Sequence, residues 1–497
     1  MRWRLSANPP RRAADPLIEP NWWEFPAIFL LAATLAAADI WDWRAEETMN
    51  VLAPIWLSLA LGVSALQMAM ADGRAIWAPP FWFRVAVIVY FGFGNLAPLW
   101  VNAQTRLYLE SYYMFTAVDI ERVNLVVAVG VACVLAANLI FEKLTAGKNL
   151  SGNSVHELRV SNDAARVGVG TYLVGFVVNY FIVLPNSLGL TDFVVPGIVV
   201  NLTAFELVGI SLLTMWSFAN SKKALLGVCV LVIVEAAVGV VMLSKTAALF
   251  PMIAFMIGAL SYRLTASRLV IGFLMMGGIY AFIVSPWVGY GRTEAGILAS
   301  SGGEATFSDR VNYLRTYFDD VKTEKDPEER QEAVLRLSYT SAVAFVISLY
   351  DHGLPGDTLR DAVYSFIPRF LWPEKPLVMV QAELATLATG TFGNSISAGY
   401  FAEAYWNLGW IGLPLLMLPV GVFLNLTTHF AARVIARGDW PFLPLLFLNM
   451  KIGMGIEAWY IGFVGTIAQG LFLYVILRIV SYWLRSAGIL PALASRA

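Results

Sequence analysis

Four stretches of this sequence place a cation or a carboxylate at the end of a long apolar run. LSKTAALF carries Lys245, GYGRTEAG carries Arg292, and IPRFLWPEKP carries Arg369 and Lys375. GNSISAGYFAEAYWNLGWIG carries Glu403. Arginine grips phosphate oxygens with two parallel N–H donors, and lysine adds a point charge. Cations held ready where a departing phosphate gains charge lower a transfer barrier without a metal. A carboxylate beside them, Glu403, is placed to take the proton of an attacking hydroxyl. These residue types in these positions suit group transfer from a lipid-linked pyrophosphate at a membrane surface. Arg292, Arg369, Lys375 and Glu403 are the expected catalytic set, and Lys245, Trp372, Arg336, His352 and Tyr405 the expected substrate contacts.

Each residue also has a plain structural role open to it. Lys245 and Arg292 can snorkel to headgroups. Arg369 and Lys375 can pair with Glu374 or Asp361, and Glu403 can cap a helix or pair with an arginine. Trp372, Trp406 and Trp410 suit interface anchors as well as sugar platforms. His352, in LYDHGLPGD, reads as a loop histidine in the right segment to act as a base. Glu206, Glu235, Lys451 and Glu457 lie in apolar context, where ionisable groups are functional by default. Lys451 and Glu457 are expected near one membrane boundary, bordering one cavity, and Glu235 needs a partner deeper in. Arg84 is expected to snorkel from the inner end of its span.

The elements that must position these groups follow from composition. The chain has 497 residues, 58% hydrophobic and only 14% charged, with mean hydropathy +0.65. A soluble chain carries about a quarter charged residues, so a soluble enzyme, a disordered tail and a disulfide-framed secreted domain are excluded. The net charge of -1 argues against nucleic acid as a partner. His156, His352 and His429 are scattered, without the spacing of a zinc site. Cys133 and Cys229 fall in apolar runs and are expected to pack as small apolar groups.

Apolar runs at 25–41, 50–70, 80–100, 124–142, 167–185, 203–219, 224–243, 247–262, 268–288, 407–428, 440–455 and 458–482 predict about twelve transmembrane helices. Short-loop cations partition unevenly. One set of alternate segments holds only Arg44, Arg106, Arg122, Lys245 and Lys451. The other holds the basic tail and, among others, Lys222, Lys223, Arg433 and Arg437. The positive-inside rule then puts both termini in the cytoplasm. The expected organisation is a basic tail (1–24), nine spans (25–288), an external module (289–405), three spans (406–484) and a short tail (485–497). The module is expected to be several amphipathic helices on the outer membrane boundary, built from 311–318, 333–350 and 359–366. An acidic hinge at 319–330 and a proline-stiffened loop around Trp372 complete it.

The pairing of IPRFLWPEKP with GNSISAGYFAEAYWNLGWIG resembles the bacterial O-antigen, or oligosaccharide repeat-unit, polymerases. LSKTAALF and GYGRTEAG are weaker echoes, and the first carries Lys245 where such proteins often carry arginine. The resemblance implies a GT-C-like, all-α polytopic protein of the inner membrane that uses no metal or other cofactor. It implies joining of repeat units carried on undecaprenyl pyrophosphate at the periplasmic face, for O-antigen, capsule or exopolysaccharide. Donor and acceptor would be lipid-linked glycans, and membrane lipids, a chain-length regulator and a flippase would be partners. Arg292, Arg369 and Lys375 would hold the pyrophosphate, and Glu403 would orient or deprotonate the acceptor. Three rivals remain: a ligase that hands glycan to a lipid A core, a transporter of polysaccharide or lipid-linked sugar, and a scaffold. A metal-dependent transferase would draw on Asp39 and Asp42, which are not spaced as D-x-D.

Overall fold

The computed structural model describes residues 21–41, 46–101, 107, 117–145, 162–191, 193, 195–300, 305–319, 337–367, 372, 374–375, 380–389, 396–437 and 439–486. Among the described residues every regular element is helical, and ten helices are long and apolar enough to cross a membrane. The chain is an all-α polytopic membrane protein. Helices α1 (Glu24–Ile40), α2 (Glu46–Ala71), α3 (Pro79–Leu99) and α4 (Ala117–Thr145) come first. Next are α5 (Ala164–Ser187), α6 (Gly197–Asn220), α7 (Lys222–Val241), α8 (Lys245–Tyr262) and α9 (Ala266–Leu298). The connecting segment holds α10 (Phe307–Asp319), α11 (Thr340–Asp351) and α12 (Val380–Thr389). Finally come α13 (Gly399–Arg437), α14 (Leu443–Met454) and α15 (Tyr460–Ser486).

All twelve expected runs are helical, but two fall short of the ten. α1 has 17 residues and α14 only 12. At 1.5 Å per residue α14 spans roughly 18 Å, less than a hydrocarbon core of about 30 Å. It is tolerated because Leu443–Met450 are all buried by neighbouring helices.

Two apolar cores hold the bundle. One gathers α1, α2, α4, α11 and α13 around Leu61, Val131, Phe401 and Val420. The other gathers α6, α8 and α14 around Ile210, Ile257 and Phe447. Lipid offers no hydrophobic drive between helices, so close backbone approach must serve. Gly209 lies where a Cβ would meet Tyr172 at 2.6 Å, and Gly258 where one would meet the Ser211 carbonyl at 2.3 Å. The outward surface stays apolar, with Leu226, Ile233, Leu274 and Phe282 exposed.

Three expectations need correction. Arg84 does not snorkel: it is 3% exposed. Its Nε donates to Glu24 Oε1 at 2.7 Å and Nη1 to the Pro80 carbonyl at 2.9 Å, while Nη2 pairs with Glu24 Oε2. A buried cation is stable only when paired, and α1 supplies the partner. Second, GYGRTEAG is not a loop outside the ninth span, since α9 runs unbroken past it to Leu298. Third, α11 does not lie on the boundary with one face free. Thr340–Ile347 are all buried. The Thr340 hydroxyl donates to Asn95 Oδ1 at 2.7 Å, and Asn95 Nδ2 donates to Asn124 Oδ1 at 2.7 Å. The segment after α9 is thus threaded into the bundle, with α11 packed between α4 and α13 and joined to α3 through Asn95. α10 does keep an amphipathic character, with Asn312, Arg315 and Thr316 exposed and Leu314 packed on an apolar cluster.

Because Glu24 is enclosed, removing its partner is costly. Arg84→Ala is expected to lower stability by about 3–5 kcal/mol. Arg84→Met with Glu24→Leu should restore most of the loss, as read by thermal unfolding in detergent.

Candidate functional site

The α9 end, the α7–α8 turn, the α14–α15 turn and the start of α13 share one end of the bundle by chain alternation; we call it the loop face. At the α7–α8 turn Leu243 adopts φ +54, a left-handed conformation unusual for a branched side chain. Its carbonyl accepts from Arg292 Nε at 2.8 Å. Gly291 allows this approach, since a Cβ there would meet Leu243 Cδ2 at 2.4 Å. At the next residue, Ser244 caps α8 by accepting from the Ala247 N–H, and Lys245 is the first helical residue. Lys245 Nζ donates to Ser285 Oγ at 3.0 Å and reaches Tyr280 Oη at 3.5 Å, lying 5.4 Å from that ring. The expected tight turn is therefore present: Arg292 docks on its carbonyl, and Lys245 reaches from it to Ser285, seven residues before Arg292 on α9. A lysine at a helix start opposes the dipole, a local conflict of the kind found at functional positions.

The other expected residues are distributed as follows. Glu403 is fully buried on α13. It accepts from Thr358 Oγ1 at 2.6 Å and from the Tyr460 backbone N–H at the start of α15. Asn407 reinforces the join, donating to the Glu403 carbonyl and to Thr358 Oγ1. Glu403 is thus a clamp across three segments, with its carboxylate turned inward. Tyr405 is 1% exposed; its hydroxyl donates to Asp351 Oδ1 at 2.8 Å and accepts from Arg122 Nη2 at 3.3 Å. Arg122 also pairs with Asp39 at 2.7 Å and lies 5.2 Å from the Trp410 ring. His352 is exposed and closes α11, its Nδ1 lying 2.8 Å from the Ser348 carbonyl. Trp406 is buried, with its indole donating to the Leu354 carbonyl, so it is not an interface anchor.

Lys375 closes a turn by donating from its backbone N–H to the Trp372 carbonyl, and its Nζ donates to the Ile367 carbonyl at 3.1 Å. Trp372 meets Tyr364 edge-on at 5.6 Å. Arg369 and Arg336 lie outside the described residues, as do Asp42 and most of the 319–330 run.

Glu457 and Lys451 flank the α14–α15 turn. Glu457 Oε2 is enclosed and has no hydrogen-bond partner among the described residues. Burial pushes its carboxyl up to about 7, offset in part by its own backbone N–H. Lys451 Nζ lies 4.9 Å from the Phe250 ring. Tyr90, Tyr339 and Tyr400 all lie within electrostatic reach of Glu457, and Tyr280 within reach of Tyr90 and Tyr339. Tyr90 and Tyr339 pack edge-on at 5.3 Å. Burial first, then the Glu457 and Tyr280 charges, raise the Tyr339 phenol. A row of phenols thus runs from Lys245 to Glu457.

Sequence reasoning missed this row because Tyr90, Tyr280, Tyr339 and Tyr400 lie far apart in the chain and share no motif. Two of the four ride on π-turns, Ile88–Phe93 and Tyr280–Val284. Such bulges are frequent at functional sites, but nothing in these residue types announces them.

A third π-turn, Asn179–Val183 in α5, serves a second polar cluster. Glu235 accepts from Tyr172 at 2.5 Å and Tyr180 at 2.6 Å, and Glu206 accepts from Asn179 at 3.0 Å. The two carboxyls lie within hydrogen-bonding reach of one another, so Glu235 has the partners it needs inside the bundle.

Comparison with family models, characterised proteins and solved structures finds no match to this chain.

The raised Glu457 carboxyl sets a pH dependence. The fold holds this proton more tightly than the unfolded chain. The contribution is complete below about pH 4.5 and is lost as pH rises through 7, amounting to roughly 3 kcal/mol at most. Glu457→Gln should remove that decline, so the variant should unfold at a higher temperature than the parent at pH 8 and not at pH 4.5.

Proposed function

We propose that the protein is a glycosyltransferase that polymerises undecaprenyl-pyrophosphate-linked oligosaccharide repeat units. The carrying observation is the convergence of Lys245 and Arg292 on one turn at the loop face. Two cations beside the start of a helix favour pyrophosphate oxygens, through bidentate guanidinium bonding and the helix dipole. As the sugar leaves the carrier, charge grows on the pyrophosphate, and preorganised cations stabilise it most at that moment. The phenol row next to Lys245 supplies flat amphipathic faces for sugar rings. In this reading the loop face is periplasmic, the membrane is the bacterial inner membrane, and both termini are cytoplasmic. Lys375 and Trp372 would contact the glycan from the connecting segment, and Glu403 would hold α13, α15 and Thr358 in register.

A transporter is the second reading, and a specific observation favours it. Glu206 and Glu235 are 3% and 5% exposed, within spans, where ionisable groups often mark proton paths. α13 is also broken at Gly409, φ 58 and ψ -143, and discontinuous helices are common in transporters.

The discriminating experiment supplies purified protein in nanodiscs with lipid-linked repeat units and follows glycan length by gel. Polymer should form, and Arg292→Ala and Lys245→Ala should each reduce its rate by about 100-fold or more, with Lys245→Arg retaining more than Lys245→Ala. Glycan that stays at single-unit length, together with flux of lipid-linked sugar in proteoliposomes that is lost on Glu235→Gln, would replace the transferase reading by the transporter.

A further inference from the structure

Most buried carboxylates here have their oxygens occupied. Glu24 holds Arg84, Glu403 holds Thr358 and the Tyr460 N–H, and Glu235 receives two phenols. Glu457 differs: its Oε2 is enclosed yet unpaired among the described residues. Leaving a carboxylate oxygen buried without a donor is destabilising, so the position calls for an explanation.

Its surroundings point to one. Tyr90, Tyr339 and Tyr400 lie within electrostatic reach of the carboxylate, and the first two are half-buried. The row continues through Tyr280 to Lys245. Two residues beyond Glu457, the Trp459 indole N–H is likewise buried and unpaired among the described residues. An unpaired acceptor and an unpaired donor on one turn, beside phenol faces, match the complement of a sugar bearing hydroxyls.

We propose that Glu457, rather than Glu403, is the catalytic base that accepts the proton of the acceptor sugar's hydroxyl. This rests on the transferase reading above. The hydroxyl oxygen bonds to the anomeric carbon of the donor glycan. The bond from that carbon to the pyrophosphate oxygen breaks, and its electron pair leaves on the pyrophosphate, held by Lys245 and Arg292. The hydroxyl proton passes to Glu457 Oε2 and from there to water. Glu457 must be ionised to act, and burial places its titration near neutrality, where a general base is most effective.

The test uses the full chain in nanodiscs with lipid-linked repeat units. Glu457→Gln should lower the rate of glycan extension by about 100-fold or more, leave binding of lipid-linked donor unchanged, and unfold no more readily than the parent at pH 8. Glu457→Asp should recover part of the rate. The parent's rate should rise with pH through about 7, and the residual Glu457→Gln rate should not. Extension by the parent with Glu457→Gln within about threefold of it overturns the assignment and leaves the transferase reading standing. No extension by the parent overturns both.

Discussion

A carboxylate sealed inside the protein holds the loop face together. Glu403 joins α13, the first N–H of α15 and the Thr358 turn at one point. The start of a helix carries partial positive charge and unpaired N–H groups, so a buried carboxyl there finds donors without a cation. The start of α13, the start of α15 and the connecting segment meet at that join. α15 packs against the short helical stretch around Ser365, whose side chain faces Gly465. The turn before α15 carries Glu457, and the connecting segment carries Lys375. Both oxygens of Glu403 are engaged in that join, while Glu457 keeps one enclosed oxygen without a partner among the described residues.

Polar joins recur, buried or partly exposed, each across elements distant in sequence. Arg84 with Glu24 ties α3 to α1, Thr340 with Asn95 ties the connecting segment to α3, and Arg122 with Asp39 and Tyr405 ties α4 to α1 and α13. In lipid, apolar burial alone cannot choose between helix arrangements, because the solvent is as apolar as the core. Polar pairs and small-residue contacts have to do the choosing, and the glycines of α6 and α8 serve the second purpose.

The helices were legible in the sequence because the bilayer imposes a crude rule: a long apolar run must be helical, since nothing else satisfies its backbone. Their ends were less so. α9 continues through GYGRTEAG because a helix can carry Arg292 and Glu294 past its apolar stretch, so polarity marked the end of the apolar run and not the end of the helix. α11 resembled a surface helix by composition, yet its alternating small and aliphatic residues fit a slot between α4 and α13. For the site, the chemistry of Lys245 and Arg292 could be read from residue type, but their meeting could not. It depends on a left-handed leucine 49 positions from Arg292. Glu403 and Glu457 looked alike in apolar surroundings, and only the location of donors separates a clamp from an open acceptor.

The π-turn at Tyr280–Val284 has a geometric consequence for α9. A π-turn accommodates one residue more than an α-helical turn, and one residue is worth about 100° of rotation along a helix. The bulge thus takes up one residue while leaving the outer part of α9 on the face that a regular helix one residue shorter would give it. Excising one residue from it would keep Arg292 near the Leu243 carbonyl, whereas one extra residue between Ser285 and Arg292 would turn Arg292 away by about 100° with Ser285 still on Lys245.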